Sequence, residues 1–269
     1  MSGNPDLKQR TLSALILAPV VLGVTYLGGY VFVALWLCAG ISVAYEWGKV
    51  AGIAPRFPYL GVAAATLCAA VACLLFAQSL FALPLLLAGA LLCASFGRPA
   101  GWSAAGVLCA ATVCLPLILL RGDDRLGLSA VLFLYAVVWG TDIGAYFTGR
   151  ALGGPKLAPR LSPNKTWSGA IGGAVIGTAA GCGLLALSGL YLVPALLVLG
   201  AFISLASQMG DLAESAFKRA FGVKDTSRLI PGHGGVLDRV DGFMAAALLA
   251  FLIGFAHSPD SPAAGLLLW

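Results

Sequence analysis

The chain has 269 residues, of which 60% are hydrophobic and only 10% are charged, with a formal net charge of +5. Soluble globular domains carry about 25% charged residues, so this composition excludes an ordinary soluble protein. The seven cysteines contain no Cys-x-x-Cys pair and the two histidines lie far apart, which argues against a disulfide framework and against a cysteine or histidine metal site.

Nine apolar stretches approach the length of a membrane span, which needs about 20 mostly apolar residues. The sequence therefore predicts an all-α fold, a polytopic membrane helix bundle with about nine transmembrane helices. The first stretch follows Lys8 and Arg10 but has no clear cleavage site, so it is predicted to be an uncleaved span and not a signal peptide. The predicted spans are 11–29, 30–45, 58–77, 79–96, 102–120, 126–147, 167–188, 190–209 and 239–256.

The basic residues predict an orientation. If the N-terminus is cytoplasmic and nine spans alternate, then 14 of the 16 Lys and Arg residues lie on the cytoplasmic side, and only Arg121 and Arg125 lie outside. Cytoplasmic loops of membrane proteins are enriched in Lys and Arg. The asymmetry thus supports both the span count and a cytoplasmic N-terminus, with the tail after His257 outside.

The two parts of the chain differ in polarity. Residues 1–120 are predicted to be N-terminal transmembrane anchor spans. Residues 121–269 are predicted to form a catalytic transmembrane region with cytoplasmic loops 148–166 and 210–238. Span seven carries glycines at steps of four, which line one helix face and favour close helix packing, although a homodimer interface is an alternative. These glycines are Gly169, Gly173, Gly177 and Gly181.

Two of three polar patches precede span eight. In span six, Asp142 and Tyr146 are four residues apart and share a helix face. An acid inside an apolar span is a functional candidate, although pairing with a base such as Arg150 is an alternative. The following loop carries four bases and no acid, and Asn164 or Thr166 is predicted to cap span seven. Such a loop suits phosphate groups or, alternatively, anionic lipid headgroups.

The third patch, residues 211–241, holds five acids and five bases of the 27 charged groups in the chain. If span eight continues as a helix, one face carries Asp211, Glu214, Ser215 and Lys218. Asp238 and Asp241 stand three apart at the start of span nine, after a glycine-rich turn. Carboxylates from two helix ends suit Mg²⁺, which proteins hold with one or two carboxylates plus substrate phosphates. A salt-bridge network is the alternative, although it would not explain the glycines.

The segment 215–241 resembles the signature of the phosphatidate cytidylyltransferase family. The elements of the signature that this chain carries are Ser215, Phe217, Lys218, Arg219, Lys224, Asp225, Pro231, His233, Gly234, Gly235, Asp238, Arg239 and Asp241. The resemblance covers about residues 135–245, because it extends into span six and the basic loop. In span six it includes Asp142, Tyr146, Gly149 and Arg150, and in the loop Ser162, Pro163, Lys165, Thr166, Trp167 and Gly169. At Ser168, relatives commonly carry Glu or Gln.

The resemblance implies that CTP and phosphatidate give CDP-diacylglycerol and pyrophosphate for phospholipid biosynthesis, with Mg²⁺ either alone or together with a monovalent cation. Asp211 and Asp238 are the first choice of metal ligands and Asp241 the third. The catalytic group would then be Ser215, Lys218, Arg219, His233 and Arg239, which contact phosphates, a metal-bound water or a proton. The substrate-binding group would be Asp142, Tyr146, Arg160, Ser162, Lys165, Thr166, Lys224 and Asp225.

The implied partners are the two substrates and the lipid bilayer, without nucleic acid and with a possible homodimer. The implied location is a bacterial cytoplasmic membrane with the active site on the cytoplasmic side. Two other functions are alternatives to cytidylyl transfer. A CDP-alcohol phosphotransferase needs further aspartates after Asp241, and no acid follows until Asp260. A cation or proton transporter would place polar groups near the membrane centre in several spans, whereas here they gather towards one face.

Overall fold

The computed structural model describes residues 5–122, 125–230, 232 and 234–269. The described residues form ten α-helices and one two-stranded hairpin. The helices are α1 (Pro5–Leu27), α2 (Gly29–Val50), α3 (Arg56–Leu75), α4 (Ala82–Phe96), α5 (Ala100–Arg121), α6 (Arg125–Leu152), α7 (Trp167–Leu187), α8 (Pro194–Ala220), α9 (Leu237–His257) and α10 (Pro262–Leu267). A 3₁₀ turn, Ser79–Phe81, precedes α4, and the strands are β1 (Lys156–Ala158) and β2 (Ser162–Thr166).

The helices confirm the predicted fold class, an all-α polytopic membrane protein. Among the described residues, eight helices are long and apolar enough to cross a membrane, and α1 contributes a shorter apolar stretch, Leu15–Leu27. Several helices continue beyond the predicted spans: α2 ends at Val50, α6 at Leu152 and, with the largest extension, α8 at Ala220. The hairpin and α10 were not predicted, since both are short and contain prolines that weaken any periodic pattern.

The chain divides into two compact units. The first unit contains Met1–Ile118 and Ala220–Val240, and the second contains Leu119–Arg219 and Asp241–Trp269. This division follows contacts between residues and says nothing about chemistry. The predicted functional boundary near residue 120 therefore stays a prediction.

The core of the first unit forms where small residues let large ones pack. A Cβ atom on Gly48 would lie 2.8 Å from the ring of Tyr59, so the ring lies directly on the backbone of α2. The indole nitrogen of Trp47 donates to the carbonyl of Trp102 at 2.9 Å. The ring of Trp102 in turn meets the ring of Phe221 edge-on at 5.0 Å. The segment after α8 thus packs on the N-terminal helices within this unit.

The second unit is built on a close contact between α6 and α7. A Cβ on Gly177 would lie 2.5 Å from the carbonyl oxygen of Val137, and one on Gly173 would lie 2.7 Å from that of Thr141. The backbones of the two helices therefore touch along the glycine face, which confirms the predicted packing role of these glycines. The hydroxyls of Thr141 and Ser204 also share a hydrogen bond at 2.7 Å, which joins α8 to this pair. The homodimer stays a prediction.

Helices α8 and α9 also approach closely in the second unit. A Cβ on Gly210 would lie 2.7 Å from the carbonyl oxygen of Asp241, and one on Gly242 would lie 2.7 Å from the hydroxyl of Ser207. Both glycines are buried. The turn of α8 that carries Asp211 therefore lies directly against the turn of α9 that carries Asp241.

Candidate active site

The basic loop between α6 and α7 folds into a hairpin. Strand β1 pairs antiparallel with β2, with Lys156 opposite Thr166 and Ala158 opposite Ser162. Arg160 lies exposed at the tip, and Ser162 is half-buried. The hairpin thereby gives the predicted phosphate-binding bases a defined geometry.

The hairpin runs directly into the N-terminus of α7. The hydroxyl of Thr166 accepts a hydrogen bond from the amide of Gly169 at 3.1 Å, so of the two candidate caps Thr166 is the N-cap. Its predicted role in substrate binding stays a prediction. The hydroxyl of Ser168 donates a hydrogen bond to the carbonyl of Gly153. The side chain of Ser168 therefore holds the start of the loop against its end.

Lys165 and Asp211 form an ion pair between β2 and α8. Their side chains are 28% and 34% exposed, so the pair is partly screened from solvent. A residue predicted to bind phosphate and a residue predicted to bind metal thus lie together in the second unit. Lys165, which suits an anion, and Asp211, which suits a cation, carry opposite charges and therefore also attract each other.

The polar face of α8 extends as predicted, because the helix continues to Ala220. Glu214 is buried, and the ammonium of Lys218 lies 2.8 Å from its carboxylate. This pair is the kind of contact that the salt-bridge alternative proposed. Ser215 is half-buried and Arg219 is exposed on the same stretch. Their predicted contacts with phosphate stay predictions.

Asp238 organises the segment between α8 and α9. Its Oδ2 accepts hydrogen bonds from the amide and the hydroxyl of Thr226, both at 3.0 Å, and from the amide of Gly235 at 2.8 Å. The residue is only 6% exposed. A residue predicted from sequence to bind metal therefore also holds Thr226 and Gly235. We call the described residues between them, with Val236, the signature loop: 226–230, 232 and 234–236. A carboxylate can serve both purposes, because metal-binding carboxylates are commonly held by hydrogen bonds.

Sequence reasoning missed Glu46, which lies on α2. It is fully buried, and its carboxylate accepts hydrogen bonds from both ends of the signature loop. The signal in the sequence was a lone acid inside an apolar span, which is costly unless it has partners. The same signal indicated Asp142 as a candidate, and it is equally present at Glu46.

The contacts of Gly235 explain part of the glycine content of the loop. A Cβ there would lie 2.7 Å from each carboxylate oxygen of Glu46. Close approach of the backbone was expected from the sequence, but at this position the backbone approaches a side chain of the protein itself. Gly232 and Gly234 have φ values of +76° and +85°, which favour glycine for conformational reasons. Pro231 and His233 lie outside the described residues, so the predicted role of His233 has no structural account.

The remaining predicted site residues, apart from Asp241, are exposed. Asp142 and Tyr146 are exposed on α6, and the guanidinium of Arg150 donates to the hydroxyl of Tyr146 at 2.9 Å. The other exposed candidates are Lys224, Asp225 and Arg239. Asp241 is half-buried, and its Oδ1 accepts from the amide of Gly242 at 2.8 Å.

The carboxylate oxygens of the predicted metal ligands are of the type that a hard divalent cation such as Mg²⁺ binds. Within the described part of the chain, no three Asp, Glu, His or Cys side chains are grouped closely enough to hold a metal together. Mg²⁺ does not require three protein ligands, because substrate phosphates and water complete its shell. The metal assignments of Asp211, Asp238 and Asp241 stay predictions.

Comparison with known proteins gives the family. The model of the cytidylyltransferase family matches residues 8–256. A phosphatidate cytidylyltransferase of Brucella suis biovar 1 is 46% identical over 96% of this chain and 97% of its own length. A protein of the same name from Pseudomonas aeruginosa is 38% identical over 89% of this chain and 94% of its own. One from Bacillus subtilis is 43% identical over 46% of this chain and 47% of its own. Because the family model covers nearly the whole chain and these relatives include two of almost equal extent, the chain belongs to the cytidylyltransferase family.

Proposed function

We infer that the chain is an integral membrane phosphatidate cytidylyltransferase, which transfers the cytidylyl group of CTP to phosphatidate and gives CDP-diacylglycerol and pyrophosphate for phospholipid biosynthesis. The observation that carries this inference is the family match from residue 8 to residue 256, with relatives of that name over almost the whole chain. The same relatives favour an enzyme over a transporter.

The reaction needs cations and positioning more than a strong base. A phosphate oxygen of phosphatidate attacks the α-phosphorus of CTP, and the bond from that phosphorus to the bridging oxygen of the β-phosphate breaks. Pyrophosphate leaves with the electron pair. Both reactants are anionic, so bases that neutralise phosphates lower the barrier. We assign this task to Lys165 and Arg160 on the hairpin, to Lys218 and Arg219 on the last turn of α8, and to Arg239 on the first turn of α9.

We propose Mg²⁺ as the cofactor, with Asp211, Asp238 and Asp241 as its candidate ligands and a monovalent cation as a possible companion. Carboxylate oxygens are the donors that Mg²⁺ prefers. When bound, it would neutralise charge on the triphosphate and on the departing pyrophosphate. The close approach of α8 and α9 at Gly210 supports a shared role for Asp211 and Asp241.

The activity is tested with the purified protein in detergent. With CTP, phosphatidate and Mg²⁺, we expect CDP-diacylglycerol and pyrophosphate in equal amounts, and neither product when phosphatidate is omitted or Mg²⁺ is chelated. Lipid products are measured by mass spectrometry and pyrophosphate by a coupled assay. Ion flux in proteoliposomes without any nucleotide turnover would instead support the transporter.

We propose that the N-terminus and the active site face the cytoplasm of a bacterium, in its cytoplasmic membrane. The distribution of Lys and Arg supports this orientation, since 14 of 16 then lie inside. The substrates agree with it, because CTP is a cytosolic nucleotide. The predicted loops 148–166 and 210–238 would then each lie in the compartment that supplies CTP.

Single-cysteine labelling tests the orientation. In a background without the seven native cysteines, Leu229→Cys is the inside probe and Asp260→Cys the outside probe, because both positions are exposed. In sealed, right-side-out cells, an impermeant maleimide is expected to label residue 260 and to reach residue 229 only after permeabilisation. Labelling of residue 229 in intact cells would reverse the assignment.

A further inference from the structure

Glu46 is a fully buried carboxylate whose described partners are all hydrogen-bond donors. Its Oε1 accepts from the hydroxyl of Ser227 at 2.6 Å and from the amide of Val236 at 2.8 Å. Its Oε2 accepts from the hydroxyl of Thr226 at 3.1 Å and from the amide of Leu237 at 2.7 Å. The acid on α2 therefore contacts the first two and the last residue of the signature loop, as well as the first residue of α9.

These contacts identify what the carboxylate does. A carboxylate has about four lone-pair sites. Four donor groups face them, and the single proton of the Thr226 hydroxyl is shared between Glu46 and Asp238. Two of the donors are amides at the start of α9, where the helix dipole favours negative charge and offsets the cost of burial. Such a group is a structural acceptor. It also occupies the N-terminal amides of α9 that could otherwise hold a substrate phosphate.

A continuous chain of contacts leads from Glu46 to the predicted site residues. The hydroxyl of Thr226 lies within hydrogen-bond distance of Glu46 and also of Asp238, at 3.0 Å from its Oδ2. Asp238 binds the amide of Gly235, the residue just before the amides that Glu46 binds. Arg239 follows on the same turn of α9. Glu46 therefore closes the loop at both ends and fixes the turn that carries Asp238 and Arg239.

We propose that Glu46 is a positioning residue of the cytidylyl transfer. It contacts no substrate, and it acts by holding the signature loop so that Asp238 and Arg239 are presented in one orientation. The inference rests on the proposed function. It adds to that function a residue of α2, which sequence reasoning had placed in a simple anchor.

The first arm of the test is kinetic. Glu46→Gln keeps the size of the side chain but replaces one carboxylate oxygen with the NH₂ of a carboxamide. That NH₂ is a donor and would face donors that need an acceptor. We expect kcat to fall by about tenfold or more, while KM for CTP and for phosphatidate changes by less than about threefold, as happens when positioning and not binding is lost. Thr66→Val is the matched control, since it removes a buried hydroxyl whose described bond, to Val62 within α3, is remote from the loop.

The second arm measures the loop itself. A spin label at Leu229, which is 51% exposed, reports the mobility of the loop by electron paramagnetic resonance. We expect Glu46→Gln to mobilise the label and Thr66→Val to leave it unchanged. Ser227→Ala removes one of the four donors and is expected to give a smaller effect of the same kind. It keeps the proposal testable if Glu46→Gln does not fold.

The outcomes separate positioning from mere stability. A lower kcat with retained KM values and a mobile label supports the proposal. Unchanged kcat, or activity that falls only in proportion to the folded fraction while the label stays immobile, overturns it. If the unsubstituted protein formed no CDP-diacylglycerol, the proposed function would fail and the catalytic part of this inference with it. A defect confined to the variants concerns Glu46 alone.

Discussion

Replacement of Asp211 or Asp238 by Asn is expected to remove nearly all turnover, on the order of 100-fold or more, while the protein still inserts and purifies. Asn keeps the shape of the side chain but loses the negative charge that a divalent cation requires. Asp211 is partly exposed on α8, and Asp238 is buried at the start of α9. Asp260→Asn, at an exposed position after α9, is the matched control and is expected to be silent.

The two variants should differ in a way that separates metal binding from loop structure. Asp211→Asn is expected to raise the Mg²⁺ concentration needed for residual turnover and to leave thermal stability nearly unchanged. Asp238→Asn should also lower thermal stability, because its Oδ2 accepts three hydrogen bonds from the loop. Mg²⁺ titrations of turnover and melting curves in detergent measure both effects. Near-normal activity of Asp211→Asn at ordinary Mg²⁺ would remove this residue from the metal site.

Lys165→Ala is expected to cost far more activity than Lys156→Ala, although both bases lie on the same hairpin. Attraction to anionic lipid is worth about 1 kcal/mol per base and would make the two lysines interchangeable. A phosphate site would not, because geometry matters as well as charge. Lys165 is paired with Asp211 and precedes the Thr166 cap, whereas Lys156 is exposed on β1.

Attraction to the lipid surface and binding to a substrate phosphate are best separated in detergent, where the lipid surface is absent. In detergent with short-chain phosphatidate, we expect the Lys165→Ala defect to persist as lower kcat/KM for CTP or phosphatidate, while Lys156→Ala stays close to the unsubstituted protein. Equal defects in the two variants, or loss of the Lys165→Ala defect in detergent, would assign the hairpin to the lipid surface and withdraw it from the active site.

Hydropathy sufficed to predict the membrane helices, because an uninterrupted apolar stretch of this length has few alternatives to a span. The steps of four between glycines likewise predicted the face of α7 that meets α6. The hairpin was not predicted, since two short strands between Gly153 and Trp167 carry no alternation strong enough to oppose three prolines. The sequence predicted that either Asn164 or Thr166 caps α7. Only the backbone geometry of the structure identifies Thr166 as the N-cap.

The sequence predicts which acids and bases belong to the site, and those assignments stay predictions, but it does not predict the contacts that hold the signature loop. A signature motif identifies Asp238 as a site residue, yet it does not state that the same carboxylate holds Thr226 and Gly235. The role of Glu46 was harder still to predict. A hydropathy pattern indicates that a buried acid needs partners, but it does not indicate where in the sequence those partners lie. Its partners are 180 to 191 residues away in sequence, beyond any local pattern.

That separation has a consequence for the order in which the protein is made. Domains and their contacts form as the chain emerges during synthesis, and contacts between distant residues wait for the later partner. Glu46 is synthesised with α2, whereas Val236 and Leu237 come at the start of α9, about 190 residues later. The early helices can enter the membrane with an acid whose donors do not yet exist. The loop that Glu46 holds is therefore completed only after the start of α9 has been made, and the helices inserted before that point cannot complete it on their own.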